Sequence, residues 1–156
     1  MKSQAGFISM LCSDEVLKGP TKCNIVEYLS TRISRVVKST MAAESASLST
    51  ALDRQVYLRL LVEAYIHGEP PMSDDWKYNL KVPGILVTDA RSLYDHINKT
   101  GSLPSERQTL IDLLVAKDLV EPQAVKVCWV PTTQLADIFT KLMKPPAVAE
   151  TFLKTG

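Results

Sequence analysis

Cysteine and histidine are scarce in this sequence, and the few present are not spaced for metal or redox work. The three cysteines, Cys12, Cys23 and Cys128, are odd in number and form no C-x-x-C pair. That excludes zinc-ribbon frameworks and thioredoxin-type chemistry. Two of them lie on candidate strands, so buried reduced thiols are expected, and with them an intracellular setting, cytoplasmic or nuclear. His67 and His96 are the only histidines. Neither has a partner at ligand spacing, and both read as surface residues near helix ends. A Gly-rich phosphate loop and a G-x-S-x-G elbow are both missing. Excess charge is missing too: the formal net charge is +1, which gives no general attraction to nucleic acid or membranes. Long apolar runs are absent, so no stretch reads as a membrane span, and MKSQAGFISML is too short in its apolar part for a signal peptide.

What remains is an ordinary globular composition, 46% hydrophobic and 22% charged over 156 residues. That length suits one domain with a sizeable core. GFISMLC (residues 6–12) reads as a strand. The polar link SDEVLKGPTK follows, and then CNIVEYLSTRISRVV, alternating at Ile25, Glu27, Leu29 and Thr31, so a hairpin is expected. From Ser39 or Thr40 to about His67 the period changes to that of a long amphipathic helix, capped by one of those hydroxyls and stopped by Gly68. GEPPMSDDWKYNLKVP is loop-like. The strand GILVTD (84–89) comes next, with a short helix over 90–98. A second helix starts with Ser105 as its cap, then the strand VKVCWVP, and then the helical TTQLADIFTKLM. The order predicts an α/β fold with an antiparallel hairpin and later crossover units.

Three carboxylates fall at ends of elements. Glu44 lies in the first turns of the long helix, on a stripe with Met41, Leu48 and Ala51 that should face the core, where an unpaired carboxylate is costly. Asp89 ends ILVTD just before a helix. Asp137 opens the helix after VKVCWVP. Sites in open α/β sheets form outside the carboxyl ends of parallel strands. Three acids meeting there would make an oxygen-rich site for Mg²⁺ or Mn²⁺, the ions that activate water in phosphodiester hydrolysis. Asp89 equally suits a helix N-cap, and Asp137 a helix dipole. Lys18, Lys22, Arg32, Arg35 and Lys38 form a sparse basic run. It reads as a solvated face or as a phosphate-tracking surface beside the acids.

Over residues 3–143 the chain resembles the ribonuclease H domain that closes the Pol polyprotein of copia-type (Ty1/copia) retrotransposons. STMAAESASL is similar to the family's S-T-x-E-A-E stretch before its first helix, LVTDARSL to its D-N-x-S-A strand end, and WVPTTQLADIFTKLM to its P-T-x-x-N-x-A-D-I-x-T-K close. The closing motif is carried by the run Ala136, Asp137, Ile138, Thr140 and Lys141, with Pro131 and Thr132 ahead of it. Two departures stand out. The chain opens at MKSQAGF, so the family's first strand and its aspartate have no counterpart. SERQTLID replaces T-K-H-I-D-I, with Glu106 and Arg107 where Lys and His are expected.

The resemblance implies a ribonuclease H-like mixed sheet with helices on both faces over residues 1–144, missing its first, central strand, and a tail over 145–156. Glu44, Asp89 and Asp137 become the catalytic, metal-holding acids. The implied partners are an RNA–DNA hybrid and the upstream reverse transcriptase part of the polyprotein, with no membrane. The implied activity is Mg²⁺- or Mn²⁺-dependent cleavage of the RNA strand, impaired for want of the first acid. The alternative is a catalytically dead remnant that binds nucleic acid or protein. Without the central strand, the remaining strands face a gap unless an upstream segment fills it or the hairpin pairs with GILVTD.

Overall fold

The structure, a computed structural model, describes residues 3–19, 21–69, 73–98, 104–122 and 124–130. The expected hairpin is present. Strand β1 (Gln4–Cys12) pairs antiparallel with β2 (Cys23–Arg32), in register from Gln4↔Arg32 to Cys12↔Cys23 with a bulge between Ser9 and Met10. Alternation along β1 buries Ala5 and Phe7, as one covered sheet face requires. The link folds in part as a 3-10 turn over Asp14–Leu17. The cysteine expectation is corrected here: Cys12 and Cys23 form a disulfide and both are half-buried, while Cys128 is the unpaired thiol. A strand-to-strand register partner is invisible to a spacing rule, because an eleven-residue separation has no motif meaning until the hairpin closes.

Helix α1 (Thr40–His67) begins and ends where its capping residues stand. The Ser39 hydroxyl accepts from the Ala42 N–H at 3.1 Å, meeting one of the first-turn donors. Gly68 takes φ 89° and donates to the Ala64 carbonyl at 2.9 Å, a conformation that favours glycine. The buried face runs Ala42, Ser45, Leu48, Leu52, Arg59, Glu63. The predicted stripe is therefore one residue out of phase. Met41, Glu44 and Ala51 are half-buried flanks, and Ser45 holds the central position with 0% exposure.

Strand β3 (Gly84–Thr88), helix α2 (Arg91–Asn98), helix α3 (Arg107–Val120) and strand β4 (Val125–Trp129) complete the described fold. β3 and β4 pair in parallel from Gly84↔Val125 to Thr88↔Trp129, with α2 and α3 in the crossover, as a parallel pair demands. Ser105 does not cap α3. Glu106 stands at the N-cap without a side-chain bond. The core is formed by Leu48 and Leu52 of α1, Leu93 and Ile97 of α2, Leu113 and Ala116 of α3, and Val125 and Val127 of β4.

The fold is mixed α/β, with three helices and two two-stranded sheets among the described residues. Among the described residues the β1–β2 and β3–β4 sheets share no hydrogen-bonded pair, so the hairpin does not pair with GILVTD. α1 packs on both β1 and β3 and is the element joining the two sheets. No helix among the described residues is long and apolar enough to cross a membrane. The predicted helix over TTQLADIFTKLM, Asp137 within it, and the 145–156 tail lie outside the described residues.

Candidate functional site

Two hydrogen-bonded contacts fix how α1 runs against β3. Gln55 Nε2 donates to the Ile85 carbonyl at 2.9 Å. One turn later, Arg59 Nε donates to the Val82 carbonyl at 2.9 Å. As α1 advances its partners on the strand recede, so the two elements are antiparallel. Running back along α1 from Gln55 to Glu44 covers about 16 Å at 1.5 Å per residue. Running forward from Ile85 to Asp89 covers about 13 Å at 3.3 Å per residue. Glu44 and Asp89 therefore lie at the same end of the β3–β4 sheet. Because that sheet is parallel and in register, the chain beyond Trp129, which leads to Asp137, leaves from this end too.

Asp89 sits at the carboxyl end of β3 and is half-buried. Its backbone carbonyl accepts the Trp129 indole N–H at 3.1 Å, and the Thr88 carbonyl accepts from the Val130 N–H at 3.0 Å. These bonds tie the ends of the two strands together. The cap expectation for Asp89 fails. It is the Thr88 hydroxyl that accepts from the Ala90 N–H, at 3.2 Å, and the Ala90 carbonyl accepts from Tyr94 to open α2. Among the described residues the Asp89 carboxylate accepts no hydrogen bond and pairs with no cation. Beside it, the Arg91 guanidinium lies 4.7 Å over the Trp129 ring and pairs with Asp95 at 3.5 Å. A half-buried carboxylate with no partner among the described residues is the kind of group a cation or substrate completes. Glu44, also half-buried, does have a partner in the structure.

Next to this end lies a buried polar cluster that periodicity did not reveal. Asp112 of α3 is 5% exposed. It accepts from both terminal nitrogens of Arg35 and from the Ser45 hydroxyl at 3.2 Å. Arg35 therefore leaves the predicted basic run, its charge taken by a residue far along the chain. The only hint in the sequence is Asp112 inside the apolar run LIDLLV. A second such cluster sits at the other end of α1. The buried Arg59 donates to the carbonyls of Val82 and Ala124, and the buried Glu63 accepts the Val82 N–H. Burial lowers the Arg59 pKa from its ordinary value, with Glu63 opposing. Here the hint was present, since Arg59 and Glu63 continue the helical stripe of Leu48 and Leu52.

Between the start of α1, the end of α2 and the start of α3 is an open cleft of about 570 Å³. Lys38, Ser39, His96, Ser105, Glu106 and Thr109 line it. Thr109 is 2% exposed, and its hydroxyl has no hydrogen-bond partner among the described residues. The Glu106 side chain, at the start of α3, makes no capping bond. Lys38 brings a positive charge, and His96 bonds the Ser92 carbonyl through Nδ1 at 2.7 Å, leaving Nε2 for the cleft.

Comparison with family models, curated proteins and solved structures finds no match. What the site does must then be read from its own chemistry. Among the described residues no group of three or more His, Cys, Asp or Glu comes together to hold a metal. The sequence-predicted trio is thus represented by two acids at one sheet end, Glu44 and Asp89.

Proposed function

We propose that this chain is a ribonuclease H-type domain of copia-type retrotransposon origin that acts on RNA–DNA hybrids. In this reading Glu44, Asp89 and Asp137 are the acids that hold Mg²⁺ or Mn²⁺. The observation that carries the proposal is Asp89: half-buried at the carboxyl end of a parallel strand, unpaired among the described residues, and level with Glu44. When bound, the ion supplies an activated water and neutralises charge at the scissile phosphate. The chain's own contribution is orientation. α1 sets the height of Glu44, and the Trp129–Asp89 bond fixes the strand end.

Thermal unfolding with and without millimolar Mg²⁺ or Mn²⁺, repeated on Asp89→Asn, tests the reading. A ligand that binds only the folded chain raises its melting temperature, by an amount that grows with concentration over Kd. A metal-dependent rise that disappears in the variant supports convergence of the acids. A clean transition indifferent to metal removes the metal assignment.

The second reading, a ribonuclease H-like module that binds without cutting, is favoured by the cleft at the α3 start. Lysine and hydroxyl groups such as those lining it hold a backbone phosphate without any metal. Hybrid binding that survives both chelator and Glu44→Gln, with no cleavage product, selects this reading over the first.

A further inference from the structure

The link between the two hairpin strands carries chemistry that the proposed function does not use. Cys12 and Cys23 are register partners at its mouth, with Cα atoms 4.3 Å apart, and both are half-buried. Behind them the hydroxyls of Ser13 and Thr21 bond each other at 2.6 Å. The Cys23 sulfur also lies 3.8 Å from the Thr21 carbonyl, an acceptor the thiol can use when reduced. Lys22, exposed, precedes Cys23 in the chain.

We propose that Cys12 and Cys23 form a reversible redox clip that pins the 13–22 link in the oxidised protein and releases it in the reduced one. The fold does not depend on the clip. The β1–β2 ladder continues from Leu11↔Asn24 to Gln4↔Arg32, and Ala5 and Phe7 remain buried beneath α1. The sulfurs therefore exchange without unfolding the domain, unlike a staple buried in a small core. The oxidant is a small disulfide such as oxidised glutathione. One cysteine thiolate attacks it and releases one glutathione. The second thiolate then attacks the mixed disulfide, forming the Cys12–Cys23 bond and releasing the other glutathione. Two protein thiols are oxidised and one glutathione disulfide becomes two thiols. Cys128, on β4 of the other sheet, takes no part.

The test equilibrates the whole chain in glutathione buffers of graded ratio, alkylates the free thiols and maps them by mass spectrometry. Trypsin cleavage after Lys18 and Lys22 is followed in parallel. Cys12 and Cys23 should lose alkylation together as the buffer becomes oxidising, with Cys128 still labelled and the helical circular dichroism unchanged. Cleavage after Lys18 and Lys22 should be several-fold slower in the oxidised chain. The double variant Cys12→Ser, Cys23→Ser should cleave at the reduced rate in every buffer. Three outcomes overturn the proposal: mixed glutathione adducts without an intramolecular bond, loss of helical signal on reduction, or cleavage rates that ignore the redox state.

Discussion

Thr109 illustrates how a single residue divides stability from use. A buried hydroxyl without a partner costs roughly 1–3 kcal/mol, and among the described residues the Thr109 hydroxyl has none. Thr109→Val, nearly isosteric, should therefore stabilise the chain by about 1 kcal/mol in urea unfolding. It should also weaken any binding of inorganic phosphate read by thermal shift. A destabilised variant would mean that the hydroxyl is already satisfied in solution. The Arg35–Asp112 pair makes a sharper demand, because its partners are unequally buried: the side chains are 30% and 7% exposed. Arg35→Ala strands a carboxylate in the interior, whereas Asp112→Ala leaves a guanidinium that can reach water. The first should cost about 2–3 kcal/mol and the second about half that, less than a fully buried pair because solvent screens Arg35. Equal costs in denaturant titrations would contradict the assigned burial.

Among the elements, α1 is the one whose ends and register decide most. Ser39→Ala should cost about 1 kcal/mol through the lost cap. Gly68→Ala meets no atom within 4 Å, so its cost of about 1 kcal/mol is purely conformational. Gly84→Ala differs in kind. A Cβ there comes within 2.8 Å of the Arg59 guanidinium, so the start of β3 can no longer close on α1. A loss of about 1–3 kcal/mol is expected for this overpacking. In Arg59→Met, where the obstructing group is gone, Gly84→Ala should cost much less, and a double-mutant cycle in urea measures that coupling. Each boundary of α1 was legible from local chemistry, hydroxyl in front and glycine behind. Its rotation was not. Polar residues at Ser45, Arg59 and Glu63 occupy interior positions because distant partners satisfy them, and no helical period reports a partner on another element.

At the scale of the whole molecule, one helix holds two small sheets that share no rung among the described residues. Among the described residues each strand of the two sheets keeps one edge without a strand partner, and unpaired edges invite association. The dependence on α1 gives an expectation for hydrogen exchange. Amides of α1 from Leu48 to Glu63 should be the slowest, the β3–β4 amides next, and the outer strand β2 the fastest of the regular elements. Protection of β2 equal to that of α1 would show that the hairpin is supported by more than this helix. The metal titration belongs here as well, since a rise in melting temperature reports binding to the folded chain as a whole, and the proposed acids come from separate elements.

By itself the sequence determined the elements: two strands with a polar link, a long capped helix, a strand ending in Asp89, two helices and a last strand. These follow from side-chain period, cap residues and turn residues, all properties of neighbours along the chain. It also marked Glu44 and Asp89 as unusual. Only the tertiary structure decided that the two sheets share no pair among the described residues, that Cys12 faces Cys23, that Asp112 takes Arg35, and that the Thr88 hydroxyl rather than Asp89 bonds the chain entering α2. Each of those is a pairing between groups that meet only after the chain closes on itself. Their energies come from burial and register, which a linear pattern does not contain.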